Sequence, residues 1–170
     1  MNIVKNFEKI NLPSFFTKNN LVSFVVITII FLLDRISKNK IINSELIENN
    51  LYVNNFLNFD LTWNTGIGFG FFSSNSQMIY NSITFFIGIV IIAIFFMLLK
   101  SKLIDKLLFA LILGGALGNF YDRITYFAVP DFIDFHYQNF HWFTFNIADI
   151  FISLGIIILL LKDFLIKNVK

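Results

Sequence analysis

LLFALILGGALGNFYDR, residues 107–123, begins as a membrane helix and ends as a cluster of ionisable side chains. Its apolar run, Leu107 to Leu117, holds 11 residues, against the roughly 20 that a spanning helix needs. Two more runs fall short in the same way: Leu21 to Leu33 holds 13 residues and Ile147 to Leu161 holds 15. The deficits lie beside Asp122, Asp34 and Asp149. Ionisable groups at membrane depth are costly, so their default reading is a functional site where helix ends converge. Gly114, Gly115, Ala116 and Gly118 put small residues along the same helix, which lets another helix approach closely.

The bulk composition agrees. With 56% hydrophobic and 18% aromatic residues in 170 positions, the chain describes an integral membrane protein of one domain, residues 1–170, with no room for a separate soluble unit. The absence of cysteine excludes disulfides, thiolate nucleophiles and cysteine-held zinc. The predicted fold class is membrane all-α with a small β element. Four transmembrane helices are expected at about residues 15–41, 78–99, 104–121 and 146–166, with external segments at about 42–77 and 122–145.

Charge sets the orientation. With both termini inside, the cytoplasmic side collects Lys5, Lys9, Lys18, Lys100, Lys102, Lys106, Lys162, Lys167 and Lys170, nine of the thirteen basic residues. The expected topology is N-in, C-in. Asp34-Arg35-Ile36-Ser37-Lys38 follows the first apolar run where a leader would carry a small-residue cleavage site, so that run reads as an anchor. Eight of the eleven acids fall outside or at the outer helix ends. There Leu57, Phe59, Leu61 and Trp63 alternate with Asn58, Asp60, Thr62 and Asn64, the period of a half-buried strand. Phe132 to Tyr137 and Phe140 to Phe145 add further extended pieces, so a small sheet is expected on the external surface. The glycines of Asn64-Thr65-Gly66-Ile67-Gly68-Phe69-Gly70 permit close backbone approach, and this segment reads as a cradle over a site.

Several polar groups have plainer readings beside the functional one. Asp34 and Lys38 stand i, i+4 in the favourable order for a helical ion pair, or serve as an interfacial anchor. Asp122 and Arg123 neutralise one another or mark a helix end. Asp149 suits a first helical turn by the macrodipole alone. Asp131 follows Val129-Pro130, which presents it from a restrained, extended backbone. Taken together, Asp131 and Asp149 permit more. Two carboxyls sharing a partly dry site cannot both ionise easily, so one keeps a proton while the other activates water.

Asp34-Arg35-Ile36-Ser37-Lys38, Asn64-Thr65-Gly66, Gly118-Asn119-Phe120-Tyr121-Asp122-Arg123, Val129-Pro130-Asp131-Phe132 and Phe145-Asn146-Ile147-Ala148-Asp149 occur in the order found in bacterial lipoprotein signal peptidases, the type II signal peptidases, and the chain resembles that family from residue 34 to 149. The resemblance implies an intramembrane aspartyl endopeptidase of the bacterial cytoplasmic (inner) membrane, its active site at the extracytoplasmic face. It implies removal of signal peptides from diacylglyceryl-modified prolipoproteins by a cut just before the lipidated cysteine. The family's catalytic pair carries over to Asp131 and Asp149. Its supporting residues carry over to Asp34, Lys38, Asn64, Gly66, Gly118, Asn119, Arg123, Asn146 and Ala148, with Asp122 and Asp134 in more structural roles. Expected partners are prolipoprotein substrates and membrane lipids, with no nucleic acid, no cofactor and no metal, and a monomer is expected.

The chain departs from the family pattern at three places. Phe127 stands near a usual glycine, Ile67-Gly68 replaces two small residues, and Pro130 directly precedes Asp131. Rival classes fit less well. A coupled transporter needs polar groups leading to both faces, whereas the inner halves of these spans are apolar. A metal hydrolase built on His136 and His141 lacks a helical ligand spacing or a His-Glu-x-x-His segment, and both histidines are expected to face the headgroups. A noncatalytic assembly factor predicts that Asp131 and Asp149 are dispensable.

Overall fold

The computed structural model describes residues 17–44, 51–66, 77–138 and 140–168. In chain order they form α1 (Lys18–Ile42), β1 (Leu51–Asn54), β2 (Leu57–Asn64), α2 (Gln77–Lys100), α3 (Leu103–Tyr126), β3 (Val129–Tyr137), β4 (Phe140–Phe145) and α4 (Ile147–Asn168). The helices outrun their apolar stretches. α1 has 25 residues and α3 has 24, enough at about 1.5 Å per residue to cross a hydrocarbon core. Each reaches that length by taking its ionisable residues into the helix and turning them inward. By length and composition α1, α2 and α3 can each cross a membrane. α4 has 22 residues, with Asp149 near its start and Lys162 and Asp163 near its end.

α3 is the central element and packs on α1, α2 and α4. Its small residues permit this. A Cβ on Gly115 would lie 2.5 Å from the Ala148 carbonyl oxygen of α4, so only glycine fits the crossing. Against α2 the packing is apolar, through Ile91, Leu98, Leu99, Phe109, Ala110, Ile112 and Leu113. The outward faces are apolar as well: Val25, Ile29 and Leu33 of α1, Phe85 and Phe86 of α2, and Leu160 and Leu161 of α4 are exposed, as a lipid-facing surface requires. At the end remote from the acids, Lys106 is buried. It donates to Asn20 Oδ1 at 2.6 Å and to the carbonyls of Leu98 and Leu99 at 2.7 and 3.2 Å, satisfying the free C-terminal end of α2. Lys162 of α4 pairs with Asp105 of α3 nearby.

The strands form one antiparallel sheet in the order β1-β2-β3-β4. The predicted strand over 57–63 is present as β2, but its burial does not alternate. Leu57 to Leu61 are all half-buried and Trp63 is exposed. β1 has no counterpart in the sequence reading. Three register shifts mark extra residues, one in β1 between Tyr52 and Asn54, one in β2 between Phe59 and Thr62 and one in β4 opposite Phe135 and His136.

One boundary is corrected. α3 continues to Tyr126, so Asp122 and Arg123 are helical and do not begin an external segment. It ends at Phe127, which adopts the left-handed conformation (φ 55°, ψ 22°) that favours glycine. Of the glycine segment, Gly66 is described, and the expected cradle from Ile67 onward lies outside the described residues.

Candidate active site

The site forms where the acidic ends of α1, α3 and α4 meet β2 and β3. Asp131 sits on β3 with 3% of its surface exposed. Its Oδ2 accepts from Asn64 Nδ2 of β2 at 2.9 Å and its Oδ1 from Asn146 Nδ2 at 2.6 Å. Pro130, beside it, pairs with Trp63 and lies beyond the end of β4. That flank of β3 is an edge, which tolerates a residue without an N–H.

Asp149 is the third residue of α4 and caps it. Its Oδ2 accepts from the Asn146 backbone N–H at 3.2 Å, while Asn146 Oδ1 accepts from the Asp149 N–H at 3.0 Å, the reciprocal pattern of a capping box. The plain helix-start role therefore holds, and it orients the acid. The other oxygen, Oδ1, accepts from Asn119 Nδ2 of α3 at 2.8 Å. Asn146 is fully buried and serves both acids, donating through its side chain to Asp131 and exchanging two hydrogen bonds with Asp149.

Below the two acids lies a closed ion-pair network. Lys38 donates to Asp34 Oδ2 at 2.9 Å, Asn119 Oδ1 at 2.8 Å and Asp122 Oδ2 at 2.7 Å, using all three ammonium hydrogens. Arg35 grips Asp122 with both terminal nitrogens, at 2.5 and 2.8 Å, and reaches Asp34 at 2.8 Å. Its guanidinium also lies 4.9 Å from the centre of the Tyr121 ring. Two carboxylates thus face two cations, the condition under which buried charge is tolerated. Asp34 extends the network to α4 by accepting from the Ala148 N–H at 3.1 Å. The fit leaves no room on α3: a Cβ on Gly118 would lie 2.4 Å from Asp34 Oδ2. Arg123 donates to the Gly66 carbonyl at 2.6 Å, and the Gly66 N–H donates to Asn64 Oδ1 at 2.8 Å, so the chain after β2 is tied to the asparagine that holds Asp131.

All eleven residues carried over by resemblance, Asp34, Lys38, Asn64, Gly66, Gly118, Asn119, Arg123, Asp131, Asn146, Ala148 and Asp149, therefore join one connected arrangement. Sequence reasoning missed two contributors. Arg35 adjoins Asp34 but bonds across 87 positions to Asp122, a contact that no local spacing signals. Tyr80 of α2 donates to the Arg123 carbonyl at 3.2 Å, and its tyrosine gave no sign of this.

Electrostatically the two acids differ from the pairs beneath them. Burial, and after it the charge of Asp149, push the Asp131 carboxyl up to about 7. The charge of Asp149 acts on Asp131, so the two are treated as titrating together. Beside Asp149 an apolar groove of about 270 Å³ runs along α4, lined by Phe143, Phe145, Ile150, Ser153, Leu154 and Ile157. The fold and site define a helical membrane protein with a two-carboxyl centre at one end of its helices, Asp131 buried and Asp149 half-buried.

The family model described as Signal peptidase (SPase) II matches residues 26–165. A lipoprotein signal peptidase of Pelagibacter ubique is 50% identical over 165 residues, covering 96% of each chain. One from Francisella tularensis subsp. mediasiatica is 41% identical over 125 residues, 69% of this chain and 76% of that one. A solved structure of a bacterial membrane enzyme superposes with a TM-score of 0.69 at 31% identity, covering 84% of this chain and 88% of that one. This chain belongs to the signal peptidase II family.

Proposed function

We propose that the protein is an aspartic endopeptidase that removes signal peptides from diacylglyceryl-modified prolipoproteins, cutting before the lipidated cysteine, with Asp131 and Asp149 as its catalytic pair. The observation that carries this reading is Asn146, which donates to Asp131 and exchanges two hydrogen bonds with Asp149, holding both carboxyls at one centre, where burial pushes the Asp131 carboxyl up to about 7. The ionised member of the pair takes a proton from water as the water oxygen attacks the scissile carbonyl carbon. The protonated member donates a hydrogen bond to the carbonyl oxygen, which carries the developing charge. Collapse of the tetrahedral intermediate breaks the carbon–nitrogen bond, and the proton taken from water passes to the leaving amine. Asn64, Asn119 and Asn146 orient the pair, and the Asp34, Arg35, Lys38 and Asp122 network fixes Asn119 and the start of α4 beneath it.

Substrate reaches this centre sideways from the bilayer. The groove along α4 is mainly apolar and has Asp149 in its lining, which suits an apolar signal segment with its scissile end at the acids. In the cell the chain spans the bacterial cytoplasmic membrane four times, α4 included, with both termini inside and the dyad at the outer face. The nine lysines of the inner side support this orientation. It acts as a monomer surrounded by membrane lipids.

The test is cleavage of a diacylglyceryl-modified prolipoprotein by purified protein in detergent, beside Asp131→Asn and Asp149→Asn. Loss of product in both variants, with unmodified precursor left uncut by the wild type, is the expected result. Cleavage by either variant at the wild-type rate removes that residue from the pair.

A further inference from the structure

The sheet carries a second polar cluster on the face opposite Asp131. β3 contains no bulge of its own, so its side chains alternate strictly: Asp131, Ile133 and Phe135 point one way, Phe132, Asp134 and His136 the other. The turn after β3, with Gln138 at φ 54°, folds the hairpin back so that His141 is the cross-strand partner of His136. The interval of five residues that separates the histidines on a helix brings them face to face on a hairpin. Their rings stack with centroids 5.2 Å apart at 23°.

Asp134 lies between them. Its Oδ2 is 2.7 Å from His141 Nδ1 and 3.6 Å from His136 Nδ1. A ligand atom from each of the three residues lies within 4.8 Å of the other two. Asp134 and His136 are buried, and among the described residues His136 Nδ1 has no hydrogen-bond partner. Asn58, directly opposite Asp134 on β2, presents a buried Oδ1 that also lacks a partner among the described residues. Buried polar atoms without partners are uncommon in folded proteins, and two beside one carboxylate call for a common cause. Two imidazoles and one carboxylate are the donor set that borderline divalent cations take. His141, with its side chain 58% exposed, gives such an ion a path from solvent.

We propose that Asp134, His136 and His141 bind one divalent transition-metal ion, with zinc the best match to the donors, as a clamp that closes the β3–β4 hairpin. The site takes no part in peptide hydrolysis, since it lies on the far face of the strand from Asp131. It holds together the two strands from which Asp131 and the groove residues Phe143 and Phe145 project.

The full chain, freed of any affinity tag and held in detergent, is titrated with zinc against a chromophoric chelator, without substrate. One ion per chain is expected. His141→Ala removes an exposed ligand with little risk to folding and should weaken binding at least about a hundredfold, since even loss of a group that only supports a ligand costs about 10- to 100-fold. His136→Gln should do the same. Asp131→Asn should bind zinc as the wild type does, which separates this site from the peptidase reading. Cobalt serves as the spectroscopic probe: visible absorption bands should develop with the wild type and not with His141→Ala. Failure of the wild type to bind zinc at micromolar free metal, or equal binding by the wild type and His141→Ala, overturns the proposal.

Discussion

Gly118→Ala decides whether the ion-pair network beneath the acids is as tightly fitted as its geometry indicates. In an unconstrained helix the change stabilises, by about 1 kcal/mol, because alanine loses less backbone freedom. Here the new Cβ would stand 2.4 Å from Asp34 Oδ2 and 3.0 Å from its Cγ. Asp34 cannot yield freely, being held by Arg35, Lys38 and the Ala148 N–H. Relieving such an overlap costs about 1–3 kcal/mol, and loosening one charged hydrogen bond adds about 1.5–3 kcal/mol. Less the helix gain, the terms leave a net loss of roughly 1.5–5 kcal/mol, or about 3–20 °C in melting temperature for a chain of this size. Melting in detergent, followed by the fluorescence of Trp63 and Trp142, reads the stability, and prolipoprotein cleavage reads the site. Gly88→Ala is the control: its Cβ would meet only the ring end of Phe120, at 3.3 Å, and that ring can shift. A Gly118→Ala protein that melts at or above the wild-type temperature and cleaves normally refutes the argument that Asp34 is immobile.

The remaining predictions concern protons and backbone strain. Because the Asp131 carboxyl is raised to about 7 from 3.8, the folded chain holds its proton more tightly than the unfolded chain does. Stability therefore falls as pH rises from about 4 to about 7, by at most roughly 4 kcal/mol, and melting curves of Asp131→Asn should lack that slope. The cleavage rate should decline above about pH 7, as the Asp131 carboxyl loses its proton; a flat rate through pH 9 would count against it. Phe127→Gly should raise the melting temperature by a few degrees, since a side chain in the left-handed region costs about 1–2 kcal/mol, offset in part by the greater freedom of unfolded glycine. A lowered melting temperature would show that the Phe127 contact with Tyr80, at 6.4 Å between ring centres, outweighs the strain.

The five polar blocks were legible as a site because membrane depth makes every ionisable residue informative. The helices were legible to within a few residues at most ends, α2 at Gln77–Lys100 against 78–99 among them. Charge suggests an end to α3 at Tyr121, whereas Asp122 and Arg123 stay helical by facing partners from α1 and from the chain after β2. Contacts between distant segments were not legible. Arg35 with Asp122, Tyr80 with Arg123 and Asn146 with both acids depend on helix crossings that one sequence does not encode locally. The histidine spacing carries no helical signal, and the positive φ at Gln138 that folds them together has no glycine to announce it.

The strict alternation along β3 has a bearing on how the chain can vary in length. One residue inserted between Asp131 and Asp134 would transpose everything on one side of it to the wrong surface. Such an indel disables either the acid pair or the histidine cluster, so β3 can lengthen or shorten only in twos. The flanking strands are under no such constraint, and each already accommodates an odd residue as a bulge. Natural insertions and engineered ones alike should accumulate in β2 and β4 and spare the nine residues between them.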